Sequence, residues 1–362
     1  MKTADNERYT VSPYLVLVLI HSIQFGIGYL SMSVKPIQLA GQDAWISVLL
    51  GGIIFYIVIW MIYQILDHNK SDIIDIHFRF FGKWTGSCMN FIFIAYFLLN
   101  SIYQVRLFIE IIEVWLFPEI GKWLLALVLL LLTYYIIAGG FRVILGICAL
   151  SLVQHAIILS LLFTAPFFHY DNLTPTMEHS FSEILKATKE LTFPYSGVEI
   201  LLFCYSFIKN PQKSQRWAQL GNLITTVFYL IIILISLLLF KYEQLSNEIW
   251  PELTKYKFVH MPFIERFDFI GATFVIFGLF PASCLYLWAS SRIIKKTFGT
   301  RQVTILGIFL IFVFVVVCLI PDRNSIEMIR IWLSKFGIFI IYAYIPCMYV
   351  IDAFKRKARR FT

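Results

Sequence analysis

Gln24, Phe25, Gly26, Ile27 and Gly28 set a glycine pair in the middle of an apolar run that extends from Pro13 to Leu39. Glycine costs about 1 kcal/mol against alanine inside a helix, so two of them one residue apart weaken a helix where it lies deepest in lipid. Backbone groups released there need a partner, and hydrocarbon offers none; a bound solute or the protein interior must supply it. Small residues also let helices approach closely in membranes, and on this pair alone the two readings are even. A second interrupted stretch shifts the balance. Leu191 to Ile208 carries Pro194, Tyr195, Gly197 and Glu199 inside apolar sequence, and an acid at a helix centre costs about 2.5–3.5 kcal/mol on insertion. Each break frees N–H groups at one half-helix and C=O groups at the other. The first favour an anion and the second a cation, so a zwitterion such as an amino acid can use both. Broken segments at corresponding places in two halves of a chain point to a transporter-type binding site.

The elements that must hold these residues are membrane spans. The chain is 59% hydrophobic and 14% charged, with a mean hydropathy of +0.77, which excludes a soluble globular domain. Ten spans are expected, over 13–39, 45–66, 88–109, 123–138, 143–163, 191–208, 220–240, 267–290, 303–320 and 336–353. The breaks then fall in spans one and six, as a five-plus-five repeat requires. A single transmembrane domain over 1–362 follows, with an N-terminus (1–12), a first repeat (13–163), a connection (164–190), a second repeat (191–353) and a basic tail (354–362). The first apolar segment is too long for a signal peptide and more spans follow it, so nothing is expected to be removed. The six cysteines all fall in apolar segments without CxxC spacing, and they read as small core residues. The net charge of +8 is parcelled out among loops, so no nucleic acid is expected as a partner; the lipid membrane is.

No HExxH, no GxSxG, no phosphate-binding glycine loop and no histidine–carboxylate cluster occurs. Neither enzymatic activity nor a catalytic residue, metal site or cofactor is therefore expected. Arg106 and Glu110, four residues apart, are expected to pair, and His21 is read as structural.

Gly26 and Gly28, a proline eight residues after the second glycine (Pro36), then Ala40, Gly41, Ala44 and Trp45 resemble the pattern of the amino acid–polyamine–organocation transporters. Phe193 to Glu199 resembles their unwound sixth span. The length, ten spans and basic tail (Lys355, Arg356, Lys357, Arg359, Arg360) look more like one branch, the B subunits of nutrient germinant receptors in bacterial endospores. The resemblance covers the whole chain and implies an all-α, LeuT-like inverted repeat with broken helices 1 and 6. It implies a small nutrient ligand, A and C receptor subunits as partners, and the spore inner membrane. It also implies the site. The amides near Ile27, Gly28 and Tyr29 would meet a carboxylate, and Asn100, Tyr103 and Gln104 of the third span with Phe277 and Gly278 of the eighth would complete the pocket. Glu199 has three roles open to it: counter-charge for an ammonium, proton carrier, or structural acid. His155, in mid-span five, is either a proton or cation site, as in ion-coupled relatives, or a satisfied buried histidine. Two functions use this one site: a receptor subunit that binds an amino acid-like nutrient and signals germination, or a proton- or sodium-coupled amino acid or amine transporter.

Charge sets the expected orientation. The N-terminus, even-numbered connections and tail hold 18 of the 30 Lys and Arg, while the opposite side holds 12 together with 15 of the 22 acids. The positive-inside rule then places both termini in the cytoplasm. Single cysteines introduced at 164–190 and 241–265 are expected to react with impermeant reagents added from outside, and ones at 209–217 are not. The opposite labelling pattern reverses the orientation.

Overall fold

The computed structural model describes residues 10–262 and 264–360. Lys2 and Arg8 of the charge pattern lie outside them. The described helices are α1 (Leu15–Gln24), α2 (Val34–Ala40), α3 (Ala44–Asn69), α4 (Ile73–Trp115), α5 (Lys122–Ala138), α6 (Phe141–Leu150), α7 (Val153–Leu159), α8 (Phe181–Glu190), α9 (Thr192–Tyr195), α10 (Leu201–Cys204), α11 (Gln215–Leu239), α12 (Tyr242–Asn247), α13 (Pro251–Thr254), α14 (Phe267–Phe274), α15 (Ile276–Phe298), α16 (Gln302–Leu319), α17 (Arg323–Phe339) and α18 (Ile345–Arg360). Seven helical stretches among the described residues are long and apolar enough to cross a membrane, and α1 and α5 are two shorter apolar helices. The chain is an all-α, multi-pass membrane protein. The stretch 191–208 holds α9, a 3-10 turn over Val198–Ile200, α10 and a second 3-10 turn over Tyr205–Phe207.

Three expectations are corrected. The third span was expected over 88–109, but α4 begins at Ile73, because the charged stretch before it is helical too and turns at Gly82 (φ 78°, ψ −179°). The tenth was expected from Phe336, whereas α17 starts at Arg323 behind an Asp322 cap that accepts from Ser325 N at 3.0 Å, and a π-turn over Ile340–Tyr344 joins it to α18. Its charged residues interrupt the apolar run without ending the helix. The cysteines are not uniformly core: Cys148, Cys204 and Cys284 are buried, but Cys88 and Cys347 are exposed on the outer surface of the bundle.

Close packing, not a hydrophobic drive, holds helices together in lipid. α11 crosses α1 and α3 at small residues. A Cβ on Gly221 would lie 2.6 Å from the Leu17 carbonyl oxygen, and one on Gly52 would lie 2.5 Å from Thr226 Oγ1. α15 packs along α4, and α16 covers α15 and α5.

Each end of the bundle is tied by polar groups. At the end that carries Val11, the main chain of Val11 donates to the Phe207 carbonyl and accepts from Lys209 N, both at 2.8 Å. Arg142 donates to the Thr10 carbonyl (2.8 and 3.1 Å). Buried Asp72 joins α4 to α15 through Arg292 and Lys296, and Arg292 also donates to the Phe203 carbonyl at 3.2 Å. At the other end the α13 segment is folded inward. Glu252 and Lys255 form a fully buried ion pair; Glu252 accepts from Ser33 Oγ at 2.6 Å, and Lys255 Nζ donates to the Ile232 carbonyl at 2.9 Å. Burial pushes the Glu252 carboxyl up and the Lys255 ammonium down, each opposed by the other's charge. Removing one member strands a buried charge, while removing both does not. Lys255→Met is expected to cost about 3–5 kcal/mol, and adding Glu252→Gln should restore most of it. Thermal unfolding of the purified variants checks this, and additive losses would show that the pair does not act as a unit.

Candidate functional site

The first broken segment ends where α1 stops at Gln24. Phe25 donates to the His21 carbonyl, Gly26 is extended (φ −71°, ψ −173°), and a 3-10 turn over Ile27–Ser31 follows. The second stops at Tyr195, with Ser196 extended and Gly197 left-handed (φ 114°). Only glycine adopts that φ without strain, and a Cβ there would lie 2.9 Å from Ile23. The two breaks therefore lie against each other.

Helix ends leave carbonyls without partners, and here α11 supplies the donors. The Tyr229 hydroxyl lies 2.7 Å from the Gln24 carbonyl and 3.0 Å from the Pro194 carbonyl, so one group spans both broken ends. Gln24 Nε2 donates to the Tyr195 carbonyl and to Asn222 Oδ1, both at 3.1 Å, and Asn222 Nδ2 donates to the Gly52 carbonyl at 2.9 Å. Thr226 Oγ1 accepts from the Tyr195 hydroxyl at 3.1 Å. Asn222, Thr225, Thr226 and Tyr229 are spaced i, i+3, i+4, i+7, which puts them on one helix face. The reading of the breaks did not include them, although polar residues at that spacing within an apolar span are a legible sign.

The amide side is built differently. A Cβ on Gly28 would lie 3.3 Å from the Phe193 ring, and Phe193 meets Tyr103 edge-on at 5.5 Å between centroids. Phe193 thus roofs the Gly28 backbone, with Tyr103 behind it. A Cβ on Gly26 would meet Gln104 Nε2 at 3.1 Å, and one on Gly278 would meet Gln154 Oε1 at 3.2 Å and the Phe25 carbonyl at 3.3 Å. Gln154 donates to the Tyr29 hydroxyl at 2.9 Å, and Tyr29 stacks on Phe25 at 4.8 Å. Gln24, Phe25, Gly26, Gly28, Tyr29, Tyr103, Gln104 and Gly278 thus gather around one backbone segment; of Ile27 only the main chain is described.

The remaining candidates sit apart from that group. The Tyr195 ring turns away, its hydroxyl donating toward the Val48 carbonyl (3.1 Å) or Thr226 and its face on Phe55. Asn100 Nδ2 donates to the Tyr96 carbonyl of its own helix at 3.0 Å. Phe277 is half-buried beside Phe274. Glu199 is 1% exposed and accepts from the Tyr96 hydroxyl (3.0 Å) and from Gly197 N (2.8 Å), which fastens the second break to α4. His155 Nε2 faces His21 Nε2 at 2.5 Å, so His21 has a partner that its position did not suggest. Arg106 reaches Glu113 at 3.4 Å, while Glu110 pairs with Arg323 at 3.2 Å, in place of the Arg106–Glu110 pair expected from helical spacing.

Two interrupted helices set against each other inside a helical bundle define a transporter-like membrane fold. The fold agrees: it is similar to a Na⁺-coupled sialic acid symporter in its substrate-bound outward-open state (TM-score 0.59, 11% identity, 96% of this chain and 77% of that one). It is also similar to MhsT in complex with L-phenylalanine (TM-score 0.60, 15% identity, 94% and 87%). Residues 10–350 match the spore germination protein family. Over 353 residues the chain is 39% identical to spore germination protein GerQB of Bacillus cereus, covering 97% of this chain and 98% of the relative. The chain belongs to that family.

Tyr229→Phe leaves two buried carbonyl ends without their shared donor, at an expected cost of about 1–3 kcal/mol. Tyr195→Phe should cost less, because the helical carbonyl of Val48 keeps its backbone partner. Unfolding midpoints of the two purified variants give the comparison; equal losses would mean that Tyr229 does not bridge the breaks.

Proposed function

We propose that this chain is the membrane subunit of a spore germinant receptor. It binds a small nutrient of the amino acid class at the two breaks and passes the resulting change to A and C partner subunits. The observation that carries the reading is the asymmetry of the site. The carbonyl ends are closed by Tyr229 and Gln24, whereas the Gly28 backbone is covered by the Phe193 ring, with Tyr103 edge-on behind it. A carboxylate entering beneath that roof would meet main-chain amides at the start of a helical turn, where anions are favoured. MhsT is described in complex with L-phenylalanine, which supports the same ligand class here. On this reading Glu199 is the structural acid, because both of its oxygens already accept hydrogen bonds. The protein sits in the spore inner membrane with both termini on the core side.

The fold's likeness to a Na⁺-coupled symporter favours a second reading, an ion-coupled transporter of an amino acid or amine. A transporter completes its cycle in a single chain, whereas a sensor needs only a differential affinity between two states and a partner to read it.

In liposomes the isolated chain is expected to bind an amino acid without concentrating it, and spores lacking it should lose germination to one nutrient. Ion-coupled uptake without a germination defect would replace the receptor by the transporter. Gly28→Val should press on Phe193 and abolish the nutrient response while the protein stays in the membrane, and Glu199→Gln should leave it largely intact. An unchanged response in the Gly28 variant would move the site away from the first break.

A further inference from the structure

The His21–His155 contact joins α1 to α7, and its hydrogen atoms can be counted. His155 Nδ1 lies 3.0 Å from the Leu152 carbonyl oxygen, which can only accept, so that nitrogen carries a hydrogen. His21 Nδ1 lies 2.8 Å from Thr225 Oγ1, and Thr225 Oγ1 lies 3.0 Å from the Gly221 carbonyl oxygen. The facing Nε2 atoms require one hydrogen between them: none leaves two lone pairs opposed, and two leave N–H against N–H. Two states satisfy every contact. In the neutral one, Thr225 donates to His21 Nδ1 and His21 Nε2–H donates to His155 Nε2. In the other, one proton has been added. His21 Nδ1–H then donates to Thr225 Oγ1, the Thr225 hydroxyl hydrogen turns to the Gly221 carbonyl, and the Nε2–H–Nε2 bridge remains. No heavy atom has to move between them. A second added proton has no place, because it would oppose two N–H groups.

We infer that His21 and His155 form a single proton-binding site that takes up one proton between them and keeps the first half-helix joined to α7 in both states. This holds whether the chain senses or transports. His21 lies in the last turn of α1, where the carbonyl end of the helix carries partial negative charge. Phe25 and Phe228 cover the rings, at 5.0 and 4.4 Å from His155. From α11 the titratable group nearby is Tyr229, and from the turn after α1 it is Tyr29, both against Phe25; from α6 it is Cys148, beside Ser22. Among the described residues no Asp, Glu, Lys or Arg shares a hydrogen bond or ion pair with either ring.

The test is a proton count on the full chain in lipid nanodiscs. Acidification should load wild type with one proton more than the His21→Gln/His155→Gln variant; a difference of two means independent histidines and a difference of none means an inert pair, and either overturns the site. Because the double variant could lose its fold, a second measurement uses wild type labelled with ¹⁵N-histidine. A ¹⁵N–¹⁵N coupling across the hydrogen bond, assigned with the single variants, is expected in the protonated form, and its absence also overturns the proposal. Thr225→Val removes the acceptor that the charged form needs and should weaken uptake, while Thr225→Ser should retain it.

Discussion

The Tyr229 hydroxyl is the group on which the arrangement of the broken segments depends. A carbonyl without a donor inside hydrocarbon costs several kcal/mol, and interrupting two spans side by side creates such carbonyls at Gln24 and Pro194 together. One hydroxyl from a continuous helix lies within bonding distance of both. The breaks can then stay next to each other without a solute holding them. α11 is able to deliver that hydroxyl because Gly221 and Gly52 bring it down onto the backbones of α1 and α3, and one and two turns away Thr226 and Asn222 accept from the Tyr195 hydroxyl and from Gln24 Nε2.

This closure separates two jobs that an interrupted helix usually combines. The negative ends of the half-helices are occupied by the protein's own donors, and the turn at Gly28 stands under the Phe193 ring. Rings can be displaced at the cost of rotamer changes, whereas the donors on α11 are fixed by helix packing. A ligand therefore has one region in which it can compete. Glu199 follows the same division: its hydrogen bonds run to Tyr96 and to the backbone of Gly197, so it sets the shape of the second break.

Where the chain must leave helical geometry was legible from residue type. Gly197 at φ 114°, packed on Ile23, meets a demand that only glycine meets, so that residue marks its own function. What those breaks touch was less legible, because contacts over long sequence separations leave no local trace. Nothing near His155 announces His21, and nothing near Arg106 decides between Glu110 and Glu113. Span boundaries failed for a different reason. Before Gly82 a charged helical stretch precedes the span across a kink, in α17 the helix runs through charged residues, and hydropathy follows lipid contact and not backbone hydrogen bonding. The polar face of α11 lay in between, visible as a spacing but without an address.

The bond between Val11 and the segment 207–209 has an evolutionary consequence. It is made of main chain on both sides, so almost any side chain could stand at these positions without weakening it. The attachment of Val11 to the end of the second broken segment thus makes no demand of its own on the side chains there, whatever their other contacts require. A relative with no identity here can keep the attachment intact, and the attachment would leave no signature in a comparison of sequences. Coupling of this kind is inherited through chain geometry, and proline, which lacks the N–H, is the one residue that sequence change could use to sever it.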